Sequence, residues 1–479
     1  MNKFYITTPI YYVNDKPHIG HAYTTVAADV MARYWRGKIG EGNVFFLTGT
    51  DEHGAKIAES AEKAGKSPKE FADEVAELFK QAWEKLGISN DYFVRTTDER
   101  HYRSVDKFMQ KLKAADAIHE GTYEGLYCKG CEKFLTEKDL VDGRCPMHKE
   151  LPEKIKEKNW FFKLSKYTDE VKKLIEKDKM IIEPAWAKKE VLGLFRQGLE
   201  DFSITRESVK WGVPLVFNKD QTVYVWVEAL QNYISAIGYG DNEGEFNKWW
   251  PADIHLMAKE ILKFHAVYWP ALLMAVGLTP PKKQFIHGFF SIDGKKMSKS
   301  LGNAIDPNSL VDKYGTDATR YLLLSQFPFG QDGDIKEEKF AEQYNSDLAN
   351  GFGNLVSRTT NMIEQYSGGK VTDMVELSGQ IKKIDGLIEK LAFDQALKEW
   401  RNIVDQANKQ IDDAKPWELA KSDKPEDKQR LDKLLSELVV TIKNLAGAIQ
   451  PFMPTISAQV LAQLNAPKIV KGEGLFPRV

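Results

Sequence analysis

Cysteine is scarce in this chain. Its 479 residues include three, an odd number, and all three fall between residues 128 and 145. That excludes a small disulfide-stapled scaffold and points to a reducing compartment with a local use for the thiols. Uninterrupted apolar runs are also missing. The most apolar stretch, Ile261 to Leu278, is broken by Lys263, His265 and Pro270 and reads as a buried helix, not a membrane span. Neither sign of charge dominates. Lys and Arg total 67 against 69 Asp and Glu, a net charge of −2, so a generally basic nucleic-acid binder is excluded and any RNA contact must come from local patches. The N-terminus, Met-Asn-Lys-Phe-Tyr, has no basic segment followed by an apolar one. No signal peptide is expected, and the localisation that follows is cytoplasmic, without membrane partners. Solenoid repeats and low-complexity tails are absent as well.

The length suggests roughly three domains. "KFYITTPIYY" reads as a strand, followed by a helix through "AYTTVAADVMARYW" that should stop at Gly37. "NVFFLTGTDEHG" reads as a second buried strand broken at Gly49, and "AKIAESAEKAG" opens the next helix. Strand–helix alternation of this kind builds a parallel sheet with right-handed crossovers. The pattern resumes with "DIHLMAKE" and "KQFIHGFFSID". Residues 117–222 have a different, Lys/Glu-rich texture and read as an insertion into a split nucleotide-binding domain, with the mixed-charge run from Lys149 to Lys179 as a solvated face. After Lys339 the pattern is helical almost throughout.

Three motifs carry chemistry. "PHIGH" follows the first strand, where open α/β sheets bind ligands. Pro17 suits a first helical position, and His18 and His21 then share one face of the first turn. Two imidazoles at a helix N-terminus can donate to phosphate oxygens, and Gly20 lets a flat base approach the backbone. Taken alone the stretch is weak, because two histidines three apart on a surface helix are commonplace. "DGKKMSKSLGN", Asp293 to Asn303, follows another strand and has the composition of a loop that closes over a polyphosphate, with Lys296 and Lys299 as compact charges. Cys128-x-x-Cys131 and Cys145-x-x-His148 offer four ligands at zinc-knuckle spacing, with no position left open to water, so one structural Zn²⁺ is expected.

"HIGH" at 18–21 together with "KMSKS" at 296–300 matches the paired signatures of the class I aminoacyl-tRNA synthetases. "TTPIYYVNDKPHIGHAYTT", "FFLTGTDEHG", "LYCKGCEKF", "TVYVWVEALQNY" and "HGFFSIDGKKMSKSLGN" narrow the resemblance to the methionyl-tRNA synthetases, over nearly the whole chain. The resemblance implies a Rossmann-like catalytic domain split into 1–116 and 223–290, a connective insertion at 117–222 with the zinc knuckle, a KMSKS loop and stem-contact region at 291–340, and an all-α anticodon-binding domain at 341–479. It implies ATP, with Mg²⁺, held by His18, Gly20, His21, Glu260, Lys296 and Lys299, of which His18, His21, Lys296 and Lys299 stabilise developing charge. L-Methionine is expected against Ile10, Tyr12, Asp51, Trp226, Ala229, Leu230, Tyr233, Ile261 and His265, with Asp51 on the ammonium and aromatic groups around the thioether. The anticodon of tRNA(Met) is expected on Asn350, Asn354, Arg358 and Trp417; the two asparagines and the arginine, spaced by four, share a helix face. The family commonly has Asp where Glu260 stands, so the ribose contact there is altered, and Glu228 also replaces a common aspartate. Many relatives carry a further C-terminal dimer-forming module, and this chain stops before one, so a monomer is expected. The rival readings are a class I enzyme for leucine, isoleucine, valine or cysteine, and a zinc-stabilised RNA-binding protein that has lost catalysis. A missing large editing insertion disfavours the first three enzymes, zinc ligands inside the insertion disfavour the cysteine enzyme, and intact signatures disfavour the non-catalytic reading.

Overall fold

The structure, a computed structural model, describes residues 2–130, 132–135, 137–147, 149–292, 294–296, 305–371 and 379–479. It contains two compact units. The first comprises 1–17, 39–83 and 89–287, and the second 18–38, 84–88 and 288–479.

A six-stranded parallel sheet organises the first unit. Its strands are β1 (Phe4–Tyr12), β2 (Val44–Asp51), β3 (Tyr92–Arg95), β7 (Ile181–Glu183), β12 (Ile254–Ala258) and β13 (Lys283–His287), in the order β3-β2-β1-β12-β13-β7. β1 and β2 are buried along most of their length, as expected of strands covered on both faces. Between β3 and β7 come β4 (Ile118–Cys128), β5 (Lys133–Leu135) and β6 (Glu153–Phe162), which with β8 (Phe202–Ser203) form an antiparallel sheet in the order β5-β4-β6-β8. A second small sheet holds β9 (Thr205–Arg206), β10 (Pro214–Leu215) and β11 (Asn218–Val223). Residues 117–222 are therefore not wholly separate from the sheet they interrupt, since β7 pairs with β13 at its edge. Gly49 does not break its strand. A Cβ there would lie 2.0 Å from the Val94 carbonyl oxygen, so glycine is what lets β2 and β3 run side by side. The apolar stretch after Ile261 is buried helix, partly π-wound at Phe264–Tyr268 and then α-helical at Trp269–Ala275. Among the described residues no helix is long and apolar enough to cross a membrane.

In the second unit, α1 (Ile19–Ile39) runs through Gly37 and starts two residues after Pro17, so Pro17 does not occupy its first position. β14 (Phe290–Ile292), β15 (Lys295–Lys296) and β16 (Gly333–Ile335) make a small sheet. The strand expected over "KQFIHGFFSID" is thus two strands, β13 and β14, in different units. Helices fill most of the rest, with Phe393–Ala414 and Pro425–Ile449 the longest after residue 339. A buried ion pair ties α1 to this unit. Arg320, fully buried in the helix Thr316–Ser325, meets Asp29 of α1 at 2.6 Å. Its guanidinium also donates to the carbonyls of Phe452 (2.8 Å), Pro451 (2.9 Å) and Leu86 (3.3 Å), while Arg33 holds the same Asp29 oxygen at 2.7 Å. Five guanidinium donors can satisfy such a set and an ammonium cannot.

Candidate active site

Strand register sets the first elements. Tyr12 and Asp51 are partners at the carboxyl ends of β1 and β2. Asp51 is partly buried, and among the described residues nothing bonds to its Oδ1. Burial, followed by the neighbouring carboxylates of Glu228, Glu132 and Glu52, pushes the Asp51 carboxyl well above the usual carboxylate range, against the opposing His53 N–H. A carboxylate so placed lacks a cation, and an ammonium bound there would supply one.

Sequence reasoning missed the buried polar frame behind Asp51. Glu52 accepts from Arg95 Nε at 2.7 Å and Nη2 at 2.8 Å, and from Thr50 Oγ1 at 2.6 Å. His53 Nδ1 lies 3.0 Å from one oxygen of Glu228, and His101 Nε2 lies 2.7 Å from the other. Burial works against charge on Glu228, but the two imidazoles outweigh it and hold the carboxyl below the usual range. Its replacement of a common aspartate was visible; the two histidines that need its reach were not, because they lie 175 and 127 residues away in the chain.

Val225–Ala229 and Asn232–Ser235, two short helices, carry the apolar candidates. Ala229, Leu230 and Tyr233 are buried, while Ile10, Trp226 and Ile261 are partly buried against the same core. Trp226 stacks on Phe264, centroids 4.1 Å apart and planes 12° apart. Lys133 Nζ sits 5.0 Å from the Phe264 centroid and donates to the Glu260 carbonyl at 3.2 Å. Glu260 itself is exposed in the short turn after β12. Tyr233 Oη lies 2.8 Å from His265 Nε2, and His265 Nδ1 lies 3.0 Å from the Ile261 carbonyl. A carbonyl only accepts, so the Nδ1 carries the proton and Nε2 accepts from the tyrosine hydroxyl. Burial lowers the His265 pKa to about 4, which keeps this ring neutral at physiological pH. A cavity of about 950 Å³ opens elsewhere in this unit, lined by residues such as Ala58, Tyr127, Arg206 and Trp211. None of the predicted methionine contacts lines it.

In the second unit, His18 and His21 stack with centroids 3.7 Å apart. The Gly20 N–H donates to His18 Nδ1 at 3.1 Å, and the His18 N–H to His21 Nδ1 at 3.3 Å. His18 thereby caps α1 with its own ring. Both neutral rings then carry their proton on Nε2, the atom suited to donate to a phosphate. Lys296 has its backbone in β15, opposite Ser291. Lys299 lies outside the described residues, as do Cys131 and His148.

Asn350 sits in a π-wound segment, Tyr344–Gly353, that leads into the helix Asn354–Ser367. Spacing by four therefore does not follow the α-helical repeat at its first step, although Asn350 and Asn354 are both exposed. Asn350 accepts from Arg478 at 2.8 Å, and Arg358 pairs with Asp412 at 2.6 Å. Trp417 is 41% exposed just after the Lys415 bend.

A family model described as "tRNA synthetases class I (M)" matches residues 4–151 and 138–360. Fold, paired signatures and this match define a class I tRNA synthetase. The methionine--tRNA ligase of Thermotoga maritima is 46% identical over 97% of this chain and 75% of its own length. That of Clostridium acetobutylicum is 44% identical over 100% and 78%. The structure of Mycobacterium tuberculosis methionyl-tRNA synthetase in complex with methionyl-adenylate superposes with a TM-score of 0.93 at 36% identity, covering 100% of this chain and 99% of that one. The chain belongs to the methionyl-tRNA synthetase family.

Proposed function

We propose that this chain activates L-methionine with ATP and transfers the methionyl group to tRNA(Met), using the residues named below. The methionine carboxylate attacks the α-phosphorus in line, the bond to pyrophosphate breaks, and methionyl-adenylate forms. A terminal hydroxyl of the tRNA then attacks the acyl carbonyl and AMP leaves. No protein nucleophile is needed, so the chain contributes position and charge. The observation that carries the reading is the buried Asp51 Oδ1, which no described residue bonds, at the end of β2 as register partner of Tyr12. It takes the ammonium. Ile10, Trp226, Ala229, Leu230, Ile261 and the Tyr233–His265 pair take the thioether side chain. His18 and His21 donate Nε2–H to phosphate oxygens, Gly20 admits the base, Lys296 and Lys299 receive the leaving pyrophosphate, and Glu260 faces the ribose across one more methylene than the usual aspartate. Mg²⁺ bound with ATP would neutralise phosphate charge. ATP–pyrophosphate exchange with each amino acid in turn tests the assignment. Methionine alone should support exchange, and exchange with another amino acid but not methionine would refute it.

For the anticodon, Asn350, Asn354 and Arg358 read base edges and the exposed Trp417 ring offers a stacking face. Trp417→Ala and Arg358→Ala should each lower tRNA charging about 10- to 100-fold, as expected for one lost stacking or charged contact of about 1–3 kcal/mol. Exchange should be unaffected. Equal charging by wild-type and variant protein would remove these residues from the tRNA surface.

The cysteine turns suit a metal. Cys128 pairs in register with Lys133 at the end of the β4–β5 ladder. Cys145 closes its own turn, its N–H donating to the Glu150 carbonyl at 3.0 Å and its carbonyl accepting from Lys149 at 2.7 Å. Both cysteines are buried and free of disulfides. Cys128, Cys131, Cys145 and His148 would hold one Zn²⁺, which supplies local stability and no reaction step. Metal analysis should find one zinc per chain, lost in Cys128→Ser; metal-free native protein would refute the site. The compartment proposed for this activity is the cytoplasm.

A further inference from the structure

Glu132 has no part in the reaction as set out above, yet its carboxylate accepts from three different elements of the first unit. It is 4% exposed and has a φ of 52°, in the left-handed region that few non-glycine residues occupy. Its Oε1 accepts from Tyr12 Oη at 3.1 Å and from the Lys56 N–H at 2.9 Å. Its Oε2 accepts from Tyr127 Oη, and its carbonyl from Tyr224 Oη at 2.6 Å. Lys56 opens α2 (Ala55–Lys63), so Glu132 caps that helix from outside it. Gly54, between Asp51 and α2, has a φ of 112°, and a Cβ there would lie 2.6 Å from Glu132 Oε1 and 2.9 Å from Tyr12 Oη. The glycine thus clears the space through which the carboxylate reaches the site.

We propose that Glu132 is a positioning residue for amino-acid recognition: it fastens Tyr12 and the start of α2 on either side of Asp51, so that the insertion hairpin sets the affinity for methionine. The proposal rests on the assignment of Asp51 and Tyr12 to the methionine site. A residue that only stabilised the hairpin would bond within it. Glu132 instead sends one carboxylate oxygen to the end of β1 and the start of α2, the two elements that flank Asp51 in the chain and in register.

The test is methionine and ATP dependence of pyrophosphate exchange in Glu132→Ala, Glu132→Gln and Glu132→Asp, with Asp51→Asn in parallel. In Glu132→Ala the KM for methionine should rise about tenfold, with kcat and the KM for ATP within about twofold, the size expected for a lost bond to a charged group. Glu132→Gln should return to within about threefold of wild type, because its amide oxygen still accepts from Tyr12 and Lys56. Glu132→Asp keeps the charge but shortens the reach, and it should also bind methionine more weakly, which keeps the test open if the alanine variant fails to fold. An unchanged methionine KM in the alanine or aspartate variant overturns the proposal. So does a parallel rise of both KM values with a lowered melting temperature, or a glutamine variant as impaired as alanine. If Asp51→Asn retains methionine affinity, the site assignment itself is wrong; if it loses affinity while Glu132→Ala does not, only the role of Glu132 falls.

Discussion

Asp51→Asn is expected to lose methionine binding by about a hundredfold or more, the scale of truncating one partner of a buried charge pair, while the protein melts no lower than wild type. Both halves have one cause. In the free protein the Asp51 carboxyl is held well above the usual carboxylate range by burial and by Glu228, Glu132 and Glu52. A carboxyl whose folded pKa is raised costs stability once the pH exceeds its unfolded value, so an uncharged amide relieves the fold at neutral pH. The substrate ammonium needs the ionised form. Methionine affinity in the native protein should therefore fall as pH is lowered through the raised Asp51 pKa, with a proton released on binding below it. Calorimetric titration in buffers of different ionisation enthalpy measures that proton. A variant that binds methionine normally, or one that melts well below wild type, would contradict this account.

Arg320→Met should destabilise the second unit by about 3–5 kcal/mol, the range for removing one partner of a buried ion pair. Asp29 and Arg320 are both fully buried, and the guanidinium also serves the carbonyls of Phe452, Pro451 and Leu86. The substitution leaves the buried Asp29 carboxylate with Arg33 but without Arg320, and three carbonyls to find new donors. Arg320→Lys should recover only part of the loss, since an ammonium cannot span that set. Denaturant melts give the comparison directly, and a midpoint equal to wild type for Arg320→Met would contradict it.

How much of this was legible in the sequence depended on range. The central strands of the parallel sheet follow from local pattern: β1 and β2 fall on runs rich in β-branched and aromatic residues, and β12 on the short apolar run "IHLMA". Gly49 and Gly37 misled for the same reason: the sequence shows a missing side chain but not what approaches it, and at Gly49 that is the Val94 carbonyl. β7 was hidden inside a charged insertion because three residues give no period. The signature motifs stood out through fixed spacing. Glu132, His53 and His101 did not, because each works through partners dozens to more than a hundred residues distant, and an acidic residue in a Lys/Glu-rich stretch looks like solvated surface.

A hydrogen-bond donor beside the sulfur would help a methionine site favour a thioether over a hydrocarbon, and the Tyr233 hydroxyl is the nearest candidate to His265. With His265 protonated at Nδ1 and that proton given to Ile261, the tyrosine's one hydrogen is already committed to Nε2. A thioether bound beside this pair would receive no hydrogen bond from the Tyr233 hydroxyl and would meet polarisable rings such as Trp226 and Phe264. Its advantage over a straight-chain analogue with CH₂ in place of sulfur then rests on sulfur–ring attraction of about 0.3–1.5 kcal/mol. That margin is at most about tenfold, so fidelity against such a mimic would depend as much on how little of it the cell contains as on the protein's own discrimination.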